Sequence, residues 1–370
     1  MEYITLKDIA VINMGQSPES KTYNEEKKGI PFYQGKSDFG KINPIPRVWC
    51  SNPIKIAEKD DILISVRAPI GDTNIATEKC CIGRGLASIR PLNENINKKY
   101  LYYLLNSKYK ELNKFGTGST FKAITKENLC NLKCAGIPDI KEQIEVVKKM
   151  DNVSQIIEIK KKQLEELSII IKSQFVEMFE SGKYPKIKLG EEFDVSSGGT
   201  PSKNKQEYWN SNDISWIGSN MCQNKIIYKN DGKYISYLGL ENSSAKIYPI
   251  DTILIALVGA TIGKTALLKF ETATNQNIAG IQVSERFNAE YVYFAIQNLY
   301  YKFTELGKGA FKMANLSFIR NLEISMPPIE LQNQFAEIVK VIDKQKFESV
   351  IKAEKEIEKI QKNIYYKWGR

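Results

Sequence analysis

The sequence predicts an α+β protein made of two homologous domains, each with an irregular β-sheet, joined by two long antiparallel coiled-coil helices about a pseudo-twofold axis. Three observations predict it. One series of motifs occurs twice in the same order, each series runs into a long stretch free of Pro and Gly, and those stretches carry apolar residues every seven positions.

The duplication comes first. Leu6, Gly15 and Pro18 recur as Leu189, Gly198 and Pro201, all at an offset of 183. Residues 62–73 (ILISVRAPIGDT) return at 253–265 as ILIALVGATIGKT, and Tyr100, Gly116 and Gly118 return as Tyr291, Gly307 and Gly309. Pro138 with Gln143 maps onto Pro327 with Gln332. A period near 190 residues is the size of a domain, too long for a solenoid repeat. The expected divisions are a first globular domain at 1–140, a first helix at 141–183, a second globular domain at 184–328 and a second helix at 329–370.

Within each globular domain a short amphipathic segment (4–12; 187–195) leads into a polar loop, Gly15-Gln16-Ser17-Pro18 or Gly198-Gly199-Thr200-Pro201-Ser202. Short β-type runs follow at 30–34 and 214–218. The apolar runs 62–66 and 253–258 have the length and composition of buried strands ended by glycine turns. Residues 100–105 and 291–296 suit helices with aromatic faces, and glycine-rich loops follow at 116–125 and 307–315.

The long stretches have helical spacing. In the first, Met150, Ile157, Leu164, Ile171 and Met178 recur every seven residues, with Val153, Leu167 and Phe175 alongside; in the second, Phe335, Ile338 and Ile342 lead into Val350, Ile357 and Ile364, flanked by Ile360 and Trp368. Heptad spacing with charges between is the coiled-coil pattern, and a helix of about 40 residues is roughly 60 Å long. Two such helices are natural partners for each other, packed antiparallel as a strut.

Net charge is +10, yet the two long stretches contribute only 0 and +2, which leaves +8 on the globular domains. That distribution suits a polyanionic partner; a generally Lys-rich composition accounts for it equally well. The chain has no histidine, which removes Ser-His-Asp and Cys-His catalysis and His-based proton transfer. Its six cysteines do not recur between the copies, and Cys130 with Cys134 has no second pair at zinc-site spacing, so buried thiols are expected rather than a metal site or disulfides. No apolar run reaches 18 residues and no leader pattern opens the sequence, so neither a membrane span nor a signal peptide is expected.

Three motifs suggest enzymes. Gly259-Ala260-Thr261-Ile262-Gly263-Lys264-Thr265 resembles a phosphate-binding loop, but three residues separate its glycines where four are needed, and the first copy has Asp72 in place of the lysine. Pro138-Asp139 with Glu158 and Lys160 formally matches a metal-nuclease pattern, but Glu158 and Lys160 lie two apart on a helix and cannot converge. Pro327-Pro328-Ile329 follows Met326, not the Asn or Asp of an amino-methyltransferase.

The arrangement as a whole resembles the specificity subunit of type I restriction–modification systems. Leu189-Gly190, Gly198-Gly199-Thr200-Pro201-Ser202-Lys203, residues 253–265 and Pro327-Pro328-Ile329 with Gln332 carry the resemblance in the second copy. Leu6-Lys7-Asp8, Gly15, Pro18, Ile137-Pro138 and Glu142-Gln143 carry it in the first, which lacks the Gly-Gly-Thr run and the Gly-Lys pair. The resemblance implies two target recognition domains that read an asymmetric bipartite DNA sequence, and helices that set the distance between half-sites. It also implies double-stranded DNA, two methyltransferase subunits and, in some complexes, restriction (helicase-nuclease) subunits as partners. The chain itself would have no catalytic residue, metal or cofactor, and would be cytoplasmic. Two readings stand beside it: an ATPase built on the second-copy glycine loop, and the specificity subunit of a solitary modification complex or another phage-defence complex.

Base reading needs Arg, Lys, Asn, Gln, Ser or Thr on exposed loops. The candidates in the first domain are Gln34, Lys36, Arg67, Arg84, Thr117, Ser119 and Lys122. Those in the second are Lys203, Asn220, Gln223, Lys264, Gln276, Asn277 and Lys312, with Arg84 and Gln276 at matching places in the repeat. For each, the competing description is a solvated surface side chain. Tyr33, Phe121, Trp216 and Phe311 lie near these loops, and core packing suits them better than contact with DNA.

Overall fold

The computed structural model describes residues 4–115, 123–134, 136–180, 182–306 and 313–368, apart from the side chains of 115, 356 and 358–368. The chain forms two compact units: residues 1–159 with 352–370, and residues 160–351. Each unit thus contains one globular module together with parts of both long helices, Ile140–Phe179 and Ile329–Trp368.

Both modules are built on the same pair of sheets. In the first, the strands Ala10–Met14, Leu86–Pro91, Ile62–Ser65 and Thr73–Ile75 lie side by side in that order, all antiparallel. In the second, Asp194–Ser197, Ile278–Gln282, Ile253–Ala256 and Thr265–Leu268 repeat the order, and Lys225–Ile227 adds a fifth strand, parallel to Thr265–Leu268. The apolar runs are central strands, as expected, and are buried on both faces: every residue of Ile62–Ser65 and of Ile253–Ala256 is inaccessible.

The other sheet of each module contains a parallel pair that alternation alone does not announce. Ile30–Tyr33 runs parallel to Cys80–Ile82, with Tyr33 opposite Ile82; Ile214–Ile217 runs parallel to Thr272–Thr274, with Ile217 opposite Thr274. Parallel strands end at the same edge, so the residues after Tyr33 and after Ile82 emerge together, as do those after Ile217 and after Thr274. Tyr33 and Trp216 are core residues, and the Trp216 indole N–H donates to the Gly199 carbonyl at 3.0 Å. Five cysteines are buried and Cys130 is half-buried; burial pushes the Cys80 thiol up to about 12.

A helix packs on each central sheet, Lys98–Ser107 or Ala289–Asn298, and its N-terminus is held by the long helix that follows. Asn97 caps the first, its side chain accepting from the amides of Lys99 and Tyr100; Asn288 does the same for Glu290 and Tyr291. The amide of the capping residue then goes to a glutamine in the first turn of the long helix. Asn97 N–H donates to Gln143 Oε1 at 2.7 Å, and Asn288 N–H donates to Gln332 Oε1 at 2.9 Å. The Gln143 amino group donates to the carbonyls of Asn95 and Pro138, and that of Gln332 to the carbonyl of Pro327. Gln143 is 0% exposed and Gln332 1%. These two glutamines, met in the sequence only as repeat markers, fix each module to its helix.

The helices bury much of the expected stripe together with the residues flanking it. In the first, Val146 and Val153 are buried, Met150 is half-buried against the first module's core, and Ile157 is 37% exposed. Ile157 therefore leaves the expected heptad series, because the helix's first turns take their phase from the module beneath them. Leu164 is half-buried, Ile171 is buried, and Met178 packs against the second core beside Phe175 and Phe179. In the second helix Phe335, Val339 and Ile342 are buried, Val350 and Ile357 are half-buried, and Ile364 lies outside the described side chains. Within the second unit the rings of Phe175 and Phe179 lie 5.4 and 5.6 Å from that of Phe335. Ser168 and Ile171, further back on the first helix, share a cavity wall with Val339 and Phe347, further on along the second, so the two segments run antiparallel there.

Replacing Gln143 or Gln332 by Leu leaves a buried amide and buried carbonyls unpaired, a loss expected to cost about 1–3 kcal/mol at each site. Denaturant unfolding of the full chain checks it; an unchanged midpoint for both variants would show that the glutamines hold nothing.

Candidate nucleic-acid interface

The loops at the ends of the parallel strands meet in each module at one tight turn, residues 83–86 in the first and 275–278 in the second. Its backbone is bonded in the same way in both. Gly83 N–H donates to Tyr33 O and Asn275 N–H to Ile217 O; the turn closes through Leu86 N–H to Gly83 O and Ile278 N–H to Asn275 O. Val66 N–H donates to Gly85 O and Leu257 N–H to Asn277 O. The polar loop completes the set, with Gly15 N–H to Leu86 O and Gln16 N–H to Ile82 O in one module, and Gly198 N–H to Ile278 O and Gly199 N–H to Thr274 O in the other.

This packing of backbone on backbone leaves little room for side chains. A Cβ on Gly85 would lie 2.2 Å from the Gln34 carbonyl oxygen, one on Gly15 2.2 Å from Gly83 O, and one on Gly198 2.1 Å from Thr274 Oγ1. In the first module the apex residue stands between two glycines; in the second it stands between the half-buried Asn275 and Asn277. Arg84 and Gln276 occupy the same position, two residues beyond the paired Ile82 and Thr274, and both side chains are exposed. The backbone N–H of Arg84 donates to Ser17 Oγ, and its side chain forms no ion pair among the described residues. Gln276 Oε1 accepts from the Thr200 hydroxyl.

Around the first turn the structure gathers Gln34 and Arg67. Gln34 is exposed at the end of its strand, where its amide and that of Gly35 donate to Asp38 Oδ2 at 2.7 and 3.3 Å. Asp38, absent from the sequence-based candidates, shapes this loop as a short acidic turn residue commonly does, and pairs with Arg47. Arg67 is exposed, follows the bonded Val66, and bridges to Ala123 at the foot of the glycine-rich loop. Lys36 forms a 2.8 Å ion pair with Asp72, and contact with that carboxylate raises its pKa above the usual lysine value. Its charge is already matched inside the protein.

In the second module Lys264 donates to Gln223 Oε1 at 3.4 Å, Gln223 donates to the Asn220 carbonyl at 3.0 Å, and Asn220 lies against Gly218 beside the turn. Asn277 is half-buried and serves the turn through its backbone. Lys203, three residues beyond Thr200, is exposed and has no ion pair among the described residues. Thr117, Ser119, Lys122 and Lys312, with Phe121 and Phe311, lie outside the described residues.

The enzyme-like motifs resolve into structure. In the second-copy glycine loop the amides of Ile262, Gly263 and Lys264 donate to Gly259 O, Ala256 O and Thr261 O, and that of Thr265 to Asn224 Oδ1. A phosphate-binding loop needs such amides turned toward its ligand; here each is already spent within the protein. Asp139 caps the first long helix by accepting from Glu142 N–H, and Glu158 pairs with Lys41. No helix among the described residues is long and apolar enough to cross a membrane.

A duplicated α+β module, with a hydrogen-bonded turn of common backbone, a different residue at its apex and a long helix anchored by glutamine, defines a two-module scaffold. The chain belongs to the family described as the type I restriction modification DNA specificity domain, whose model matches residues 1–168 and again 182–359. The putative type I restriction enzyme MjaX specificity subunit of Methanocaldococcus jannaschii is 44% identical over 156 residues, 42% of this chain and 36% of that protein. The match thus spans little more than a third of that relative's length. The MjaIX specificity subunit of the same organism is 24% identical over 96% of this chain and 89% of its own length. The crystal structure of a type-I restriction-modification system S subunit from M. genitalium, 16% identical, superposes with a TM-score of 0.51 over 98% of this chain and 94% of that one, a likeness of fold.

Gly85→Ala is expected to destabilise the chain by roughly 1–3 kcal/mol through overpacking. Gly35→Ala, where a Cβ would meet nothing within 4 Å, should change stability by less than about 0.5 kcal/mol. Paired denaturation curves decide it, and equal effects at the two sites would remove the tight-turn argument.

Proposed function

We propose that this chain is the DNA-recognition subunit of a type I restriction–modification complex. Each globular module, near residues 1–140 and 184–328, reads one half of an asymmetric bipartite sequence. The long helices space the half-sites and dock two methyltransferase subunits, and the chemistry belongs to those partners and to restriction subunits where these are present. The single observation that carries the reading is the turn with a common backbone and a different exposed side chain in each module. A scaffold that keeps its backbone while changing its apex is what two modules need to read different sequences. The positive charge concentrated outside the helical stretches supports the same partner. In this reading Gln34, Arg67 and Arg84 contact one half-site and Asn220, Gln223, Lys264 and Gln276 the other, with Lys203 on phosphate.

Deleting the gene should remove one split methylated motif from the host genome, as read by methylation-sensitive sequencing; loss of no motif would count against the proposal. Lys264→Ala should weaken DNA binding by the assembled complex severalfold and reduce the slope of log K against log salt by about 0.9. The ATPase alternative makes the opposite forecast, with lost nucleotide hydrolysis and unchanged DNA affinity.

A further inference from the structure

The apex of the tight turn carries chemistry as well as position. The backbone on both sides of the apex is held by matching hydrogen bonds in the two modules, which restricts where the apex side chain starts. A base-reading group needs such support, because two hydrogen bonds to one base edge tolerate little freedom in their origin. Of the cationic groups near the first turn, Lys36 is paired with Asp72, and Arg67 stands on a separate strand end rather than on the turn itself. Arg84 has no ion pair among the described residues, and its guanidinium keeps its forked donors free.

We infer that this apex determines specificity in each module, and that the two modules are set for different bases: Arg84 for guanine, Gln276 for adenine. The inference rests on the recognition function proposed above. A guanidinium offers two parallel donors, which match the O6 and N7 acceptors of guanine in the major groove. A carboxamide offers one donor and one acceptor, which match N7 and the N6 amino group of adenine. Thr200 strengthens the second assignment. By donating to Gln276 Oε1 it orients the amide plane, leaving the amino group and a second lone pair of that oxygen for the base. The first module sets Ser17 beside its turn instead, and Ser17 bonds the Arg84 backbone, leaving the guanidinium free.

The test compares methylated motifs in cells that carry the full chain with its modification subunits, as wild type, Arg84→Gln and Gln276→Arg. Arg84→Gln should change preference at one guanine position of one half-site toward adenine and leave the other half-site intact. Gln276→Arg should change one adenine position of the other half-site toward guanine. The purified complex supplies a second measurement on synthetic duplexes with 7-deazaguanine at the implicated position. The wild type should bind such a duplex about ten- to a hundredfold more weakly than its parent, and Arg84→Gln should bind both alike. Two results would overturn the inference: an unaltered motif with affinity lowered equally for all duplexes, the signature of a phosphate contact, or indifference of the wild type to 7-deazaguanine at every guanine of the half-site. A wild-type chain that directs no split motif would defeat the recognition function itself, and this inference with it.

Discussion

Backbone pairing at the tight turn is the constraint on which the rest of each module depends. Main-chain hydrogen bonds are indifferent to side-chain identity, so a turn built from them survives sequence divergence wherever a Cβ can be accommodated. Where two backbones come too close, glycine is required, and the modules meet that need differently. The first places Gly83 and Gly85 on either side of Arg84, against Gln34 on the neighbouring strand end; the second places Asn275 and Asn277 there, and Gly218 where the first has Gln34. The glycine has changed sides of the same junction. Fixed backbone and exchangeable surface are thus consequences of one arrangement, the parallel strand pair that ends both loops at a common edge.

The second fixed point is the amide group of a buried glutamine. A helix N-terminus leaves amides without partners, and the capping residue's own N–H adds one more. Gln143 and Gln332 accept a hydrogen bond from that extra N–H while donating to carbonyls at the start of their own helices, so a module and its long helix share a bonded corner. Lys99 and Tyr103, both bonded to Asp151, extend the attachment along the first helix. The helix then continues the module's core before it continues anything else. This explains why Val146 and Val153 are buried while Ile157, in step with the heptad series, is exposed.

The repeat, the central strands and the long helices were legible because each has a local signature: recurrence, an unbroken apolar run, or a stretch without Pro and Gly. What stayed hidden depends on distant partners. Nothing near Lys36 announces Asp72, and nothing near Glu158 announces Lys41; both pairs join positions far apart in sequence. The parallel pairing of Ile30–Tyr33 with Cys80–Ile82 was hidden for the same reason, although it decides which loops become neighbours. The equivalence of Arg84 and Gln276 was visible in the repeat, but the bonding that makes their turn a rigid support was not. Apolar periodicity located the helices, but the period cannot say which neighbour a helix serves first, and Ile157 is exposed for that reason.

The two modules also differ in how they handle cationic charge beside the turn. After the glycine at 71 or 263 the first has Asp72 and the second Lys264. In the first, Asp72 pairs with Lys36, and among the described residues Arg67 and Arg84 carry positive charge near the turn without an ion pair. In the second, Val258 stands where the first has Arg67 and Gln276 where it has Arg84, and the side chain of Lys264 donates to the neutral Gln223 and forms no ion pair among the described residues. One module thus carries charge at the apex of its turn, and the other carries it beside an uncharged apex. A shared backbone permits both solutions, because long-range attraction needs a net charge in the vicinity and no particular side chain to hold it.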